Sequence, residues 1–295
     1  MATETLNENR ERHATPPGGV HQSFLVYRRF YHLKIASAVV GVSILAYLLH
    51  SPLAGPSGST WLGFTLGTIA AGIMFWLTWF GYRKRTYAAT DAPLSSWLSA
   101  HVYLGLSLIF IATLHCAFQF GWNLHTLCYV LMMLVILSGL FGIFAYTRYP
   151  RLITANRVGS TQIQMLGQIA ALDSEIRQSM MGIDDAVVRA VSPAIERDEI
   201  GGSAMRQLSA RYPGCPTASA LTAVQRFIHD LSAERAADVR PLLVLLTRKS
   251  ELLQRVRRDI QYKAMMDVWL YVHVPMTFAS LAALVAHIVA VFFYW

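Results

Sequence analysis

The sequence predicts an all-α integral membrane protein, a bundle of five transmembrane helices with a helical insertion between the fourth and fifth. Three observations predict it. Of 295 residues, 54% are hydrophobic and only 14% charged, where soluble domains carry about 25% charged residues. Five apolar segments, approximately 35–53, 61–81, 97–120, 125–147 and 266–294, are long enough to cross a hydrocarbon core of about 30 Å. No strand alternation, glycine-rich phosphate loop or dinucleotide fingerprint competes with the helical pattern.

The elements follow in order. Residues 1–34 form a polar tail and lead-in. Residues 1–22, with Pro16, Pro17, Gly18 and Gly19, have the composition of a disordered segment. Residues 22–34 are aromatic and basic together and read as an amphipathic stretch lying at the interface. No cleavable signal peptide is expected, because this charged, proline-bearing stretch precedes the first apolar run. Residues 35–147 hold helices one to four. The second carries Gly63, Gly67 and Ala71 at four-residue spacing, a small-residue face that allows close approach by a helix or a cofactor. The third and fourth form a tight hairpin through Gly121, Trp122 and Asn123.

Residues 148–265 make the insertion. Ile163, Leu166, Ile169, Ile176 and Met180 follow helical spacing, with Asp173 as a polar interruption. A second helical stretch starts near Leu221 with Val224, Phe227, Ile228 and Leu231. A third runs from Pro241, suited to a first turn, through Leu245, Leu252, Leu253, Val256 and Ile260. Gly201–Gly202 and Pro213–Gly214 mark loops. The third helix is expected to run directly into the fifth span, residues 266–295.

Charge placement gives these spans a direction. Arg28, Arg29 and Lys34 precede the first span; Arg83, Lys84 and Arg85 follow the second; Arg148 and Arg151 follow the fourth. The turns 54–60 and 121–124 carry no charge. With five alternating spans all 25 Lys and Arg, and all 17 Asp and Glu, fall on one side. By the positive-inside rule that side is cytoplasmic. The reading is a multi-pass protein of a bacterial-type inner membrane, N-terminus and insertion inside, C-terminus periplasmic. The net charge of +8 thereby reads as membrane topology, and nucleic-acid binding is a poor explanation for it.

Two histidine pairs carry the chemistry. His101 and His115 on the third span, and His273 and His287 on the fifth, are each fourteen residues apart. Fourteen residues of α-helix rise about 21 Å and make almost four whole turns, so each pair shares a face at two depths. The two spans run in the same direction. Side by side they present two opposed imidazole pairs, the geometry of bis-histidine ligation of two b-type haems. His101 and His273 would take the inner haem, and His115 and His287 the outer. Gly105, Leu108 and Ala112 share the face of His101, and Gly105 and Ala112 are small, as a haem lying flat on a helix requires. Thr277, Ser280 and Leu284 occupy the matching offsets on the fifth span, which adds Ser280 to the haem-contacting residues.

Single histidines in apolar helices are more often hydrogen-bonded packing residues than ligands, and the repeated spacing is what favours ligation here. Intramembrane ionisable groups are costly and generally functional. Cys116, Cys128 and Cys215 form no CxxC, no CxxCH attachment motif and no zinc spacing, so haem here would be bound without covalent attachment. Arg83, Lys84, Arg85, Arg148 and Arg151 suit inner-haem propionates or, more simply, cytoplasmic anchoring. His125 and His50 suit an outer propionate, a proton relay or an interfacial position. His32 reads as interfacial and His229 as structural.

These four histidines on the third and fifth spans resemble the ferric-reductase-like transmembrane family, which includes ferric reductases and NADPH oxidases. Cytochrome b of the quinol:cytochrome c reductases has a similar two-helix, four-histidine arrangement. The resemblance covers about residues 35–147 and 266–295. It implies that His101, His115, His273 and His287 ligate haem iron and that electrons cross the bilayer between the haems. Two departures stand beside it. No flavin- or nicotinamide-binding domain is expected after the last helix, and the insertion has no recognised counterpart.

The expected role is therefore an electron-transfer subunit between a quinone pool or cytoplasmic donor and a periplasmic redox partner such as a c-type cytochrome. Quinone is a candidate second cofactor, and the insertion a candidate docking place for a cytoplasmic partner. The uncharged outer turns and the terminal aromatics Phe292, Phe293, Tyr294 and Trp295 suit an interface on which a redox protein docks. The competing enzyme reading is the membrane component of a ferric or oxygen reductase fed by a separate flavoprotein. A metal transporter or a plain anchor is disfavoured by the lack of acidic residues deep in the spans.

Overall fold

A computed structural model of the chain describes residues 24–53, 55–85, 94–230 and 232–293. The polar tail 1–22 and the terminal aromatics Tyr294 and Trp295 lie outside the described residues, as do the side chains of Arg83, Lys84 and Arg85. A 3₁₀ turn, Phe24–Val26, leads into α1 (Tyr27–Leu49). There follow α2 (Trp61–Arg85), α3 (Leu94–His115) and α4 (Leu124–Arg157). The shorter helices are α5 (Gln162–Ser179), α6 (Asp185–Glu196), α7 (Ala204–Ser209) and α8 (Pro216–Asp230), and α9 spans Ala233–Phe293. The described residues contain no strand. Five of the helices, α1 to α4 and α9, are long and apolar enough to cross a membrane.

Boundaries differ from those expected in instructive ways. Arg28, Arg29 and Phe30 take left-handed backbone angles, φ 42°, 54° and 63°. For L-residues that conformation costs about 1–2 kcal/mol each, and it breaks the basic lead-in from the regular helix that follows. The third span stops at His115 instead of running to residue 120, because Ala117 and Phe118 also turn left-handed, at φ 49° and 59°. Pro241 was expected in a first turn but lies well inside α9. Ala236 and Val239 are buried before it, and Val239 belongs to the same apolar cluster as Leu242 and Leu246 after it. Packing therefore carries the helix across a residue that local propensity would place at its start. The expectation that the last insertion helix continues into the fifth span holds, since α9 is one helix of 61 residues.

The chain divides into two compact units, residues 1–136 with 277–295, and residues 137–276. In the first, α1 to α3 and the start of α4 meet around Leu62, Leu66, Ala70, Leu108, Ile111, Ala112 and Met132. Small residues at Ala70 and Ala112 let the helices approach closely. The phenol of Tyr103 donates to the Leu25 carbonyl at 2.8 Å, tying the lead-in to α3.

In the second unit α5, α6 and α8 pack on the first half of α9. Ile176, Val187, Val191, Ala194, Ala220, Val224, Val239, Leu242 and Leu246 form its main core. Met165, Ile169, Leu253 and Val256 form a smaller one. Thr161 starts α5 with a reciprocal capping box: it accepts from the Gln164 amide, and the Gln164 side chain accepts from the Thr161 amide. Between the two cores lies Lys249, 1% exposed. Its ammonium pairs with Asp173 at 2.5 Å and Asp198 at 3.0 Å and donates to the Ala194 carbonyl. Asp173, the polar interruption in the apolar stripe of α5, is therefore a partner for a buried lysine, whose burial without an acid would be costly. Arg157 closes the end of α4 with a two-pronged bond to Asp259, 2.6 Å at its shortest. His229 holds no core; its side chain is 90% exposed beside Asp230 at the end of α8.

Candidate functional site: a histidine cluster and a braced histidine

The residues read from the sequence as haem-facing are buried or half-buried. Along α3, Leu108 and Ala112 are buried and His101, Gly105 and His115 are half-buried. Along α9, Ser280 and Leu284 are buried, and His273, Thr277 and His287 half-buried. A Cβ added at Gly105 would meet only Leu77, at an ordinary 3.8 Å, and Ala112 packs in the core with Leu62 and Leu66. The small stripe of α3 thus serves helix packing within the first unit. Ser280 is 3% exposed and its hydroxyl has no hydrogen-bond partner among the described residues. Such a group costs about 1–3 kcal/mol, a penalty that a bound polar group would relieve.

His115 and His287 come together. Their ring centroids are 6.3 Å apart with planes at 72°. The Nδ1 of His115 bonds the Gly63 carbonyl at 2.7 Å, which leaves Nε2 for a ligand. Gly67 gives the ring its space, because a Cβ there would stand 2.6 Å from His115 Cε1. The second-helix glycines thus have distinct duties, Gly63 as acceptor and Gly67 as clearance. His125, in the first turn of α4, joins them, its ring centroid 5.3 Å from that of His115 and 5.0 Å from that of His287. One ring nitrogen from each of the three lies within 4.8 Å of the others. His125 Nε2 also meets Cys116 Sγ at 3.0 Å.

His273 lies in the second unit and His101 in the first. His273 is braced by α4. Its Nδ1 meets the Ser138 hydroxyl at 2.6 Å, and the Trp269 indole stacks on its ring at 5.1 Å. That indole donates to the Ser138 carbonyl at 2.7 Å. Gly142 makes room for Trp269, since a Cβ there would run into the indole ring. Gly139 lies beside His273 itself, 3.6 Å from Cε1. Of the secondary residues, Arg148 and Arg151 are exposed. His50 caps α1 and sets its ring edge-on to Trp61, and His32 stacks on Tyr27.

The three imidazoles are donors that a transition-metal ion or a haem iron can use, and a haem between His115 and His287 would need the His125 ring, with centroid 5.3 and 5.0 Å from theirs, to turn aside. Two imidazoles facing one metal ion with bonds of about 2.0–2.1 Å would have ring centroids roughly 6 Å apart, close to the 6.3 Å between His115 and His287. Ligating histidines characteristically have the other nitrogen fixed by a carbonyl, hydroxyl or carboxylate. His115 and His273 both have such a partner, from a backbone carbonyl and a serine. The chain matches no protein-family model, no curated protein and no solved structure.

Several of these partners were not singled out in the sequence. Ser138, Gly139 and Gly142 form a Ser-Gly-x-x-Gly stretch inside an apolar span, a pattern that signals close approach. Trp269 and Cys116 gave no signal, because their roles depend on which helix lies opposite. His125 was weighed as a propionate partner, a proton relay or an interfacial group, and not as a member of a cluster with His115 and His287.

Proposed function

We propose that this chain is a diheme membrane cytochrome b, the electron-transfer subunit of an oxidoreductase. The observation that carries the proposal is the opposed pair His115 and His287 on different helices, one ring already oriented by the Gly63 carbonyl. His101 and His273 would hold the second haem, towards the cytoplasmic side, with Ser138 and Trp269 fixing the His273 ring. Haem iron supplies reversible one-electron chemistry whose potential follows its axial ligands and surroundings. The protein's part is to fix the ligand nitrogens, exclude water with apolar helices and keep the two centres at different depths. Gly67 keeps the ring plane free, and Leu108, Ile111 and Leu284 shield the interior.

The donor in this reading is a quinone pool or a cytoplasmic protein that docks on the helical insertion. The acceptor is a periplasmic redox protein such as a c-type cytochrome. Membrane placement follows the charge asymmetry of the sequence, with the insertion inside.

Optical titration of the purified chain tests the proposal. Dithionite should give a low-spin b-type spectrum with two haems per chain. His115→Ala or His287→Ala should lower the count to one, and so should His101→Ala or His273→Ala. A chain that takes up no haem when expressed with an ample supply would overturn the reading. Reconstituted with a quinol analogue, the two-haem protein should be reduced; no reduction by any quinol would remove the quinone half alone.

A further inference from the structure

The haem reading uses two imidazoles at the outer cluster, yet three converge there. His115 ends α3, His125 lies in the first turn of α4 and His287 lies near the end of α9. With one nitrogen of each inside a 4.8 Å triangle, modest side-chain rotation brings all three to the roughly 3.4 Å separations of ligands on a tetrahedral ion with bonds of about 2.0–2.1 Å. The second partners are also in place. The Gly63 carbonyl takes one nitrogen of His115 and Cys116 Sγ takes one nitrogen of His125, leaving the other nitrogen of each for a ligand. No carboxylate joins this group among the described residues. Imidazoles with a thiol nearby select zinc-like and copper-like ions over magnesium or calcium.

We propose that His115, His125 and His287 form a site for a single transition cation of the zinc class, with an open fourth position and Cys116 orienting His125. It goes beyond the cytochrome reading and shares two ligands with the outer haem. A chain therefore holds either the ion or the outer haem at this end, never both. His125 is the residue that separates the two: the ion needs it and the haem does not.

Cobalt(II) serves as the probe, because a tetrahedral Co²⁺ site absorbs strongly in the visible. The full-length chain, purified without haem, should bind one Co²⁺ per chain and release it to Zn²⁺. His125→Gln should weaken binding at least 100-fold while the chain keeps its helical circular dichroism. Cys116→Ser should weaken it about 10–100-fold, as loss of an outer-shell partner does. Haem added to the Co²⁺-loaded unsubstituted chain should expel one Co²⁺, an arm that needs no variant to fold. The proposal is overturned if no stoichiometric Co²⁺ binds, if His125→Gln binds it as the unsubstituted chain does, or if ion and outer haem are held together. Co²⁺ binding by a chain that never takes up haem would sink the cytochrome reading and leave this one standing. Two haems without any Co²⁺ binding would do the reverse.

Discussion

Gly67 shows how much of the site depends on what a side chain omits. His115 needs its Nδ1 on the Gly63 carbonyl, and that bond draws the ring against α2. A methyl at position 67 would lie 2.6 Å from Cε1, far inside contact distance, so Gly67→Ala must turn the imidazole or push the helix away. Overpacking of this kind costs about 1–3 kcal/mol. On the cytochrome reading, the variant should keep its helical circular dichroism and fall from two haems per chain to one. Pyridine haemochrome assay makes the count, and a count of two would show that the ring has room to spare. Ser138 is the counterpart for His273. Its hydroxyl meets Nδ1 at 2.6 Å, and Ser138→Ala removes that partner while leaving the packing volume nearly unchanged. Haem affinity at this site should drop about 10–100-fold, with Ser138→Thr restoring most of it. Equal retention of both haems in the alanine variant during gel filtration would mean that Trp269 alone fixes the ring.

At the scale of elements, α5 and α9 show which features were legible in the sequence and which were not. Apolar residues at helical spacing disclosed both helices, because burying one face imposes a period of 3.6. The face of α5 was read slightly askew, however: Ile163 is 82% exposed, and Met165, Ile169, Leu172 and Ile176 are the buried ones. The same pattern marked Asp173 as a fault in α5 without saying why it was tolerated. The reason is Lys249, 76 residues away, and no local pattern reports a pairing that distant. α6 and α7 went unread because they are short, and burial of Val187, Val191 and Ala194 depends on α8 and α9 being opposite. The paired spacing of the four histidines was legible for the same reason as the helices, since it is a period on one element. The third member of the outer cluster was not, because His125 reaches it from a different helix. Lys249→Met tests the element-level argument. It removes the cation and leaves Asp173 and Asp198 facing each other in the interior, and breaking a buried ion pair on one side costs about 3–5 kcal/mol. The melting temperature of the detergent-solubilised chain should fall by several degrees or more. Converting Asp173 and Asp198 to Asn in the same chain should recover part of the loss, and an unchanged melting temperature in the single variant would show that the pairing is not needed.

At the scale of the whole molecule, function depends on which end faces which compartment. The α3–α4 turn has no formal charge and exposes Trp122, whereas the second unit carries the paired acids and bases and exposes Met205 on α7. A polypeptide crosses with its uncharged turn far more readily than with a segment dense in Lys and Arg, so the His115 end should be periplasmic and the Lys249 unit cytoplasmic. On the cytochrome reading, that orientation is the one in which a periplasmic c-type cytochrome would meet the proposed outer haem and a cytoplasmic donor would meet the insertion. Single cysteines decide it in a background of Cys215→Ser, with Cys116 and Cys128 left in place because both are buried. Trp122→Cys should react with a membrane-impermeant maleimide in intact spheroplasts, and Met205→Cys only after permeabilisation. Reversal of that pattern would turn the molecule over, placing the acceptor of the cytochrome reading on the cytoplasmic side. Labelling of both in intact spheroplasts would remove the five-span topology itself, and with it the common direction of α3 and α9 on which the pairing of His101 with His273 and of His115 with His287 depends.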